Sequence, residues 1–92
     1  MRLIGLMSGT SLDGVDAALV DFDAAGQPTL AGLHHLSYPE GLTETLRGLN
    51  GDTPLRTVLA TDAELAGVYA AAVEGLLAET GEARERIDAI AL

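Results

Sequence analysis

The sequence predicts a mixed α/β fold in the order β-β-β-α-β. Three observations predict it. Three apolar segments between Arg2 and Tyr38 are separated only by short turns rich in Gly, Ser, Asp and Pro. One long stretch, Thr61 to Gly81, repeats its apolar residues at helical spacing. A last apolar segment, Ile87 to Leu92, follows that helix and reads as a strand joining the sheet in parallel by a right-handed crossover.

Arg2 to Met7 places Ile and Leu on both alternating faces, the pattern of a strand covered on both sides. Ser8 to Gly14 is dense in small polar residues and reads as a loop. Val15 to Phe22 is strand-like again, with Val15, Ala17 and Leu19 on one face and Ala18, Val20 and Phe22 on the other. Asp23 to Pro28 is a turn, where Gly26 can adopt positive φ and Pro28 restarts the chain. Thr29 to Tyr38 forms a third strand with imperfect alternation. Short connections make these three an antiparallel meander.

After Pro39 the period changes. Leu42, Leu46 and Leu49 mark one face of a short helix, which Gly41 and Gly48 weaken by roughly 1 kcal/mol each. Asn50 to Pro54 ends it. The main helix is expected to begin at Thr61, which forms a capping box with Glu64. Leu65, Val68, Tyr69, Ala72, Val73, Leu76 and Leu77 then make a continuous core-facing stripe, with the Tyr69 hydroxyl at its rim. Gly81 stops the helix, and Glu82 to Arg86 reads as a solvated connector. A buried strand reaching Leu92 with no helix of its own to cover it implies the leading portion of a larger, truncated domain.

Composition narrows the function. Ninety-two residues suit one small domain with a thin core. With 14 acidic and 5 basic side chains, a net charge of −9 and no lysine, the chain offers no basic patch for nucleic acid. There is no cysteine, hence no disulfide frame or thiolate metal site. No segment reaches the ~18–20 apolar residues of a membrane span, and the N-terminal run is too short for a signal peptide. These features point to a cytoplasmic protein with no membrane or nucleic-acid partner.

Chemistry concentrates in Ser8-Gly9-Thr10-Ser11-Leu12-Asp13-Gly14-Val15-Asp16. Gly5, Gly9 and Gly14 permit close backbone approach or positive φ. Thr10 and Ser11 supply hydroxyl donors, and successive main-chain N–H groups can form an anion-binding nest. Asp13 and Asp16 would repel a phosphate unless a hard cation lies between, which implies Mg²⁺. Asp13, within the turn, is the favoured metal residue. The segment is neither a Walker loop nor a G-x-G-x-x-G fingerprint. With a bland reading, its Ser and Thr would merely cap a glycine-rich hairpin.

Gly5-Leu6-Met7-Ser8-Gly9-Thr10-Ser11-Leu12-Asp13-Gly14-Val15-Asp16 resembles the N-terminal signature of anhydro-N-acetylmuramic acid kinases, in the actin-like (RNase H-like) ATPase and sugar kinase superfamily. The resemblance implies the β-β-β-α-β leading portion of an actin-like domain over residues 1–92, with loop 8–16 on the ATP phosphates. It implies MgATP, water and 1,6-anhydro-N-acetylmuramic acid as reactants and N-acetylmuramic acid 6-phosphate as product, in cell-wall recycling. It further implies nucleotide contacts from Gly9, Thr10, Ser11, Leu12, Asp13, Gly14, Val15 and Asp16, Mg²⁺ at Asp13, and a homodimer of several-fold longer chains. The family's water-activating aspartate and its His-Gly-Gln-Thr segment fall beyond Leu92. Two alternatives stand beside it: a superfamily kinase with another substrate, and a non-catalytic module docking through an open sheet face.

Other polar residues have plainer roles. Adjacent His34 and His35 face opposite sides of a strand and cannot easily share a metal. Asp21 and Asp23 belong to the second turn, Arg2 can pair with an acidic neighbour, and Glu82, Arg84, Glu85 and Arg86 are solvated charges.

Overall fold

The computed structural model describes residues 1–8 and 12–92. Strands β1 (Arg2–Ser8), β2 (Gly14–Phe22) and β3 (Pro28–Ser37) precede helices α1 (Leu42–Arg47) and α2 (Leu55–Thr80), and β4 (Ala89–Ala91) follows. The sheet runs β3-β2-β1-β4. Its first three strands form the expected antiparallel meander, and β4 lies parallel to β1 with Ile4 opposite Ile90.

The core forms where the strand period of two meets the helical period of 3.6. Ile4 and Leu6 of β1 and Val15, Ala17 and Leu19 of β2 share a face, and Val68, Ala72, Leu76 and Leu77 of α2 pack in the same buried cluster. Leu42 of α1 joins it. The helix comes closest at β3, where a Cβ on Gly32 would collide with the Thr80 methyl and one on Gly75 with the His34 ring. The imperfect alternation of β3 has a specific cause. Leu19 pairs with Gly32 and Val20 with Leu30, so Ala31 is the extra residue of a bulge.

Turn chemistry follows the sequence closely. Asp23 Oδ1 accepts from the Ala25 and Gln27 amides, both at 2.9 Å, and Gly26 adopts φ 80°. Gly81 ends α2 in the left-handed region at φ 69°.

Several expectations are corrected. The main helix starts at Leu55, capped by Pro54, and no Thr61–Glu64 capping box forms. Thr61 lies inside the helix, where its hydroxyl donates to the Thr57 carbonyl at 2.8 Å. Leu55 to Ala60 contains neither Gly nor Pro, so nothing delays the helix once Pro54 has set the entry; the Thr57 and Val58 amides both reach the Pro54 carbonyl. Twenty-six residues make a helix about 39 Å long, and its first turns expose Leu55 and Leu59.

Second, β1 is covered on one face among the described residues: Met7, on the other face, is 70% exposed. Third, Glu82 is no solvated charge. Its side chain is only 9% exposed and pairs with Arg2 and Arg86, because β1 and the segment after α2 meet there. Arg84–Arg86 of that connector forms a 3-10 turn, and Arg84 pairs with Glu74. Fourth, the short helix stops at Arg47, and the last strand is limited to Ala89–Ala91. Leu49 lies outside α1 but remains half-buried.

Candidate functional site

The site candidate is the turn from β1 into β2. Gly9, Thr10 and Ser11 lie outside the described residues. Leu12 has φ 55°, the left-handed region, which costs a side chain-bearing residue roughly 1–2 kcal/mol. Contacts from later in the chain hold it there. The Thr43 hydroxyl in α1 donates to the Leu12 carbonyl at 2.6 Å. The Tyr38 amide donates to the Asp13 carbonyl at 2.9 Å, carrying the β2–β3 pairing one residue beyond Gly14 opposite Ser37.

The other shoulder of the turn is tied from β1. Ser8 Oγ and Tyr38 Oη share a hydrogen bond at 2.6 Å. Tyr69 of α2 interacts with Tyr38 in turn. Burial, then the charge and hydrogen bond of Tyr38, push the Tyr69 hydroxyl above its ordinary value of 10.0. The folded state therefore keeps this proton after the unfolded chain has begun to lose it. That contribution to stability is whole below pH 10.0 and declines as pH rises toward the raised value. Chemical denaturation across this alkaline window is expected to show a shallower decline for Tyr69→Phe than for the native protein.

At the start of β2, Gly14 is buried because its neighbours require it. A Cβ would lie 2.5 Å from the Leu36 carbonyl oxygen and 2.8 Å from two atoms of the His35 ring. The Val15 side chain is fully buried in the core, so only its backbone faces the turn's chemistry. Asp16, on the opposite face, is exposed, with Oδ1 at 2.8 Å from His35 Nδ1. His34 points the other way, Nδ1 at 2.6 Å from Glu79 Oε2. The two histidines are split between faces as expected, each beside its own carboxylate.

Among the described residues, no group of three or more His, Cys, Asp or Glu could hold a metal ion. Asp13 is exposed and Asp16 is engaged by His35. That donor set suits a cation taking one or two protein carboxylates and filling its shell with phosphate oxygens and water, as Mg²⁺ does. No helix among the described residues is long and apolar enough to cross a membrane.

The structure thus brings Leu12, Asp13 and Gly14 together at one end of the two central strands and adds residues that motif reading misses. Tyr38 is accessible in principle, since pairing Gly14 with Ser37 puts it beside Asp13. Thr43 and Tyr69 carry no such signal, because their reach depends on how α1 and α2 dock.

The family model for anhydro-N-acetylmuramic acid kinase matches residues 1–92. A curated relative of that name from Chromobacterium violaceum is 43% identical over 90 residues, covering 96% of this chain and 24% of its own length. Relatives of the same name from Nitrosospira multiformis and Salinibacter ruber are 45% and 43% identical, covering 95% and 96% of the chain. The chain spans about a quarter of the length of these relatives (24%, 24% and 23%).

Proposed function

The chain belongs to the anhydro-N-acetylmuramic acid kinase family, and on that footing we propose that it carries the ATP-phosphate grip of such a kinase. The whole enzyme would hydrolytically open 1,6-anhydro-N-acetylmuramic acid and phosphorylate it to N-acetylmuramic acid 6-phosphate. The observation supporting this reading is the seating of the signature: Ser8 to Asp16 spans the β1–β2 turn, braced at Ser8, Leu12 and Asp13 by contacts from α1 and from Tyr38 at the end of β3. Residues 1–92 are then part of an actin-like ATPase domain.

Phosphoryl transfer rests mainly on positioning and charge neutralisation. On this reading the main-chain N–H groups of Gly9 to Leu12 and the Thr10 and Ser11 hydroxyls would hold β- and γ-phosphate oxygens. Asp13 would hold Mg²⁺ or its waters, and the ion when bound would offset phosphate charge. Gly14 and Val15 would contribute backbone, and Asp16, beside His35, would complete the nucleotide contacts of the segment. The water-activating aspartate is placed outside residues 1–92. The amino sugar and ATP are the small-molecule partners, and the enzyme is a cytoplasmic homodimer.

Calorimetric titration of the full native polypeptide with MgATP tests the reading. Losing a charge-assisted contact of about 2 kcal/mol through Asp13→Asn is expected to weaken MgATP roughly thirtyfold. Metal-free ATP in EDTA is expected to change far less. Native MgATP affinity in both Asp13→Asn and Gly9→Val would overturn the assignment.

A further inference from the structure

We propose that Thr43 is a positioning residue for nucleotide phosphate, acting through the Leu12–Asp13 peptide; the inference rests on the phosphate-loop reading above. Its carrier is the direction of two successive peptide units. A trans peptide is planar, so its C=O and N–H point to opposite sides. The Leu12 carbonyl is drawn to Thr43 Oγ1 at 2.6 Å, which turns the Asp13 N–H away from α1. The Asp13 carbonyl is drawn to the Tyr38 amide of the chain leaving β3 at 2.9 Å, which turns the Gly14 N–H toward β1. β2 lies between β3 and β1, so that direction is the β1 side of the strand.

A left-handed residue is one half of the alternating backbone pattern of an anion nest, and here it precedes two peptide units whose directions are set by partners anchored elsewhere. Leu12 gives the contact its importance. Leucine in the left-handed region persists only where its surroundings over-determine it, and the Thr43 hydroxyl is one such determinant. Six-residue α1 places that hydroxyl one residue after buried Leu42, which anchors the helix in the core. The chemical class served is the phosphate chain of a nucleotide, so adenosine, which lacks it, should be indifferent to Thr43.

The experiment compares Thr43→Val, which loses the hydroxyl at nearly constant shape, with Thr43→Ser, which retains it, in the full native polypeptide. Loss of one hydrogen bond is expected to raise the MgATP KM roughly five- to tenfold, with kcat at saturation little changed. Thr43→Ser is expected to stay within about twofold of native, and adenosine binding to be the same in all three proteins. A second measurement places Thr43→Val in a Leu12→Gly background. Glycine holds the left-handed backbone without help, so the fold-change there should shrink to less than half.

A Thr43→Ser protein impaired as much as Thr43→Val would overturn the proposal. So would a Thr43→Val effect of equal size in the Leu12→Gly background and in the native one. Native MgATP KM in Thr43→Val alongside weakened MgATP in Asp13→Asn would sink the Thr43 role alone. Native behaviour in Thr43→Val, Asp13→Asn and Gly9→Val together would sink the loop reading and this inference with it.

Discussion

Gly14→Ala is expected to destabilise the protein by about 2–3 kcal/mol, a large effect for the addition of one methyl group. The cause is not backbone conformation, since Gly14 has no positive φ. It is space: the new Cβ would sit 2.5 Å from the Leu36 carbonyl oxygen and 2.8 Å from His35 Cε1 and Nε2. The imidazole can swing aside, at the cost of its 2.8 Å contact with Asp16. The carbonyl belongs to the backbone of β3, which is paired with β2 along its length, and cannot move without opening that pairing. Removing the ring therefore should not relieve the strain. Urea unfolding of Gly14→Ala and Gly14→Ala/His35→Ala is expected to give similar losses, and full rescue by His35→Ala would show that the ring alone was the obstacle. Because Gly14 adjoins Asp13, MgATP affinity should fall with stability.

Leu76→Ala is expected to cost about 3–4 kcal/mol. Leu76 is fully buried, within the cluster that α2 makes with β1 and β2. Its Cδ1 comes 3.5 Å from where a Gly32 Cβ would stand, so it fills the space under the glycine-lined part of β3. Truncation removes apolar burial and leaves a cavity that a paired sheet can only partly close. Against a typical stability of about 5–15 kcal/mol, that is a severe loss. Leu55→Ala on the same helix is the internal control. Leu55 is 71% exposed, and its change should stay within about 0.5 kcal/mol. Comparable losses at the two positions, measured by thermal denaturation, would mean that the first turns of α2 are covered in the native protein.

What is legible in the sequence has short-range causes. Val15, Ala17 and Leu19 alternate over a few residues, and all three prove buried. The stripe from Leu65 to Leu77 follows from helical spacing alone, as do the turn at Asp23 and the stop at Gly81 from local turn chemistry. The loop is recognisable because its small, polar and glycine residues are contiguous. The helix start misleads for an instructive reason: Thr61 and Glu64 match a capping box locally, yet the same spacing occurs inside any helix. Only the absence of a breaker between Leu55 and Ala60 decides between them. Glu82 misleads because its partner Arg2 is 80 residues away.

The succession of elements, the buried face of β2 and the position of the signature turn were determined by the amino-acid sequence itself, because side-chain periodicity and turn chemistry act between near neighbours. Tertiary structure alone decided which way the turn's peptides point, why position 14 admits no Cβ, and which charges are withdrawn from water. Those outcomes depend on Tyr38, Thr43, His35 and Arg2 meeting residues far away in the chain, and such meetings exist only once α2 has packed on the sheet and α1 has been anchored by Leu42.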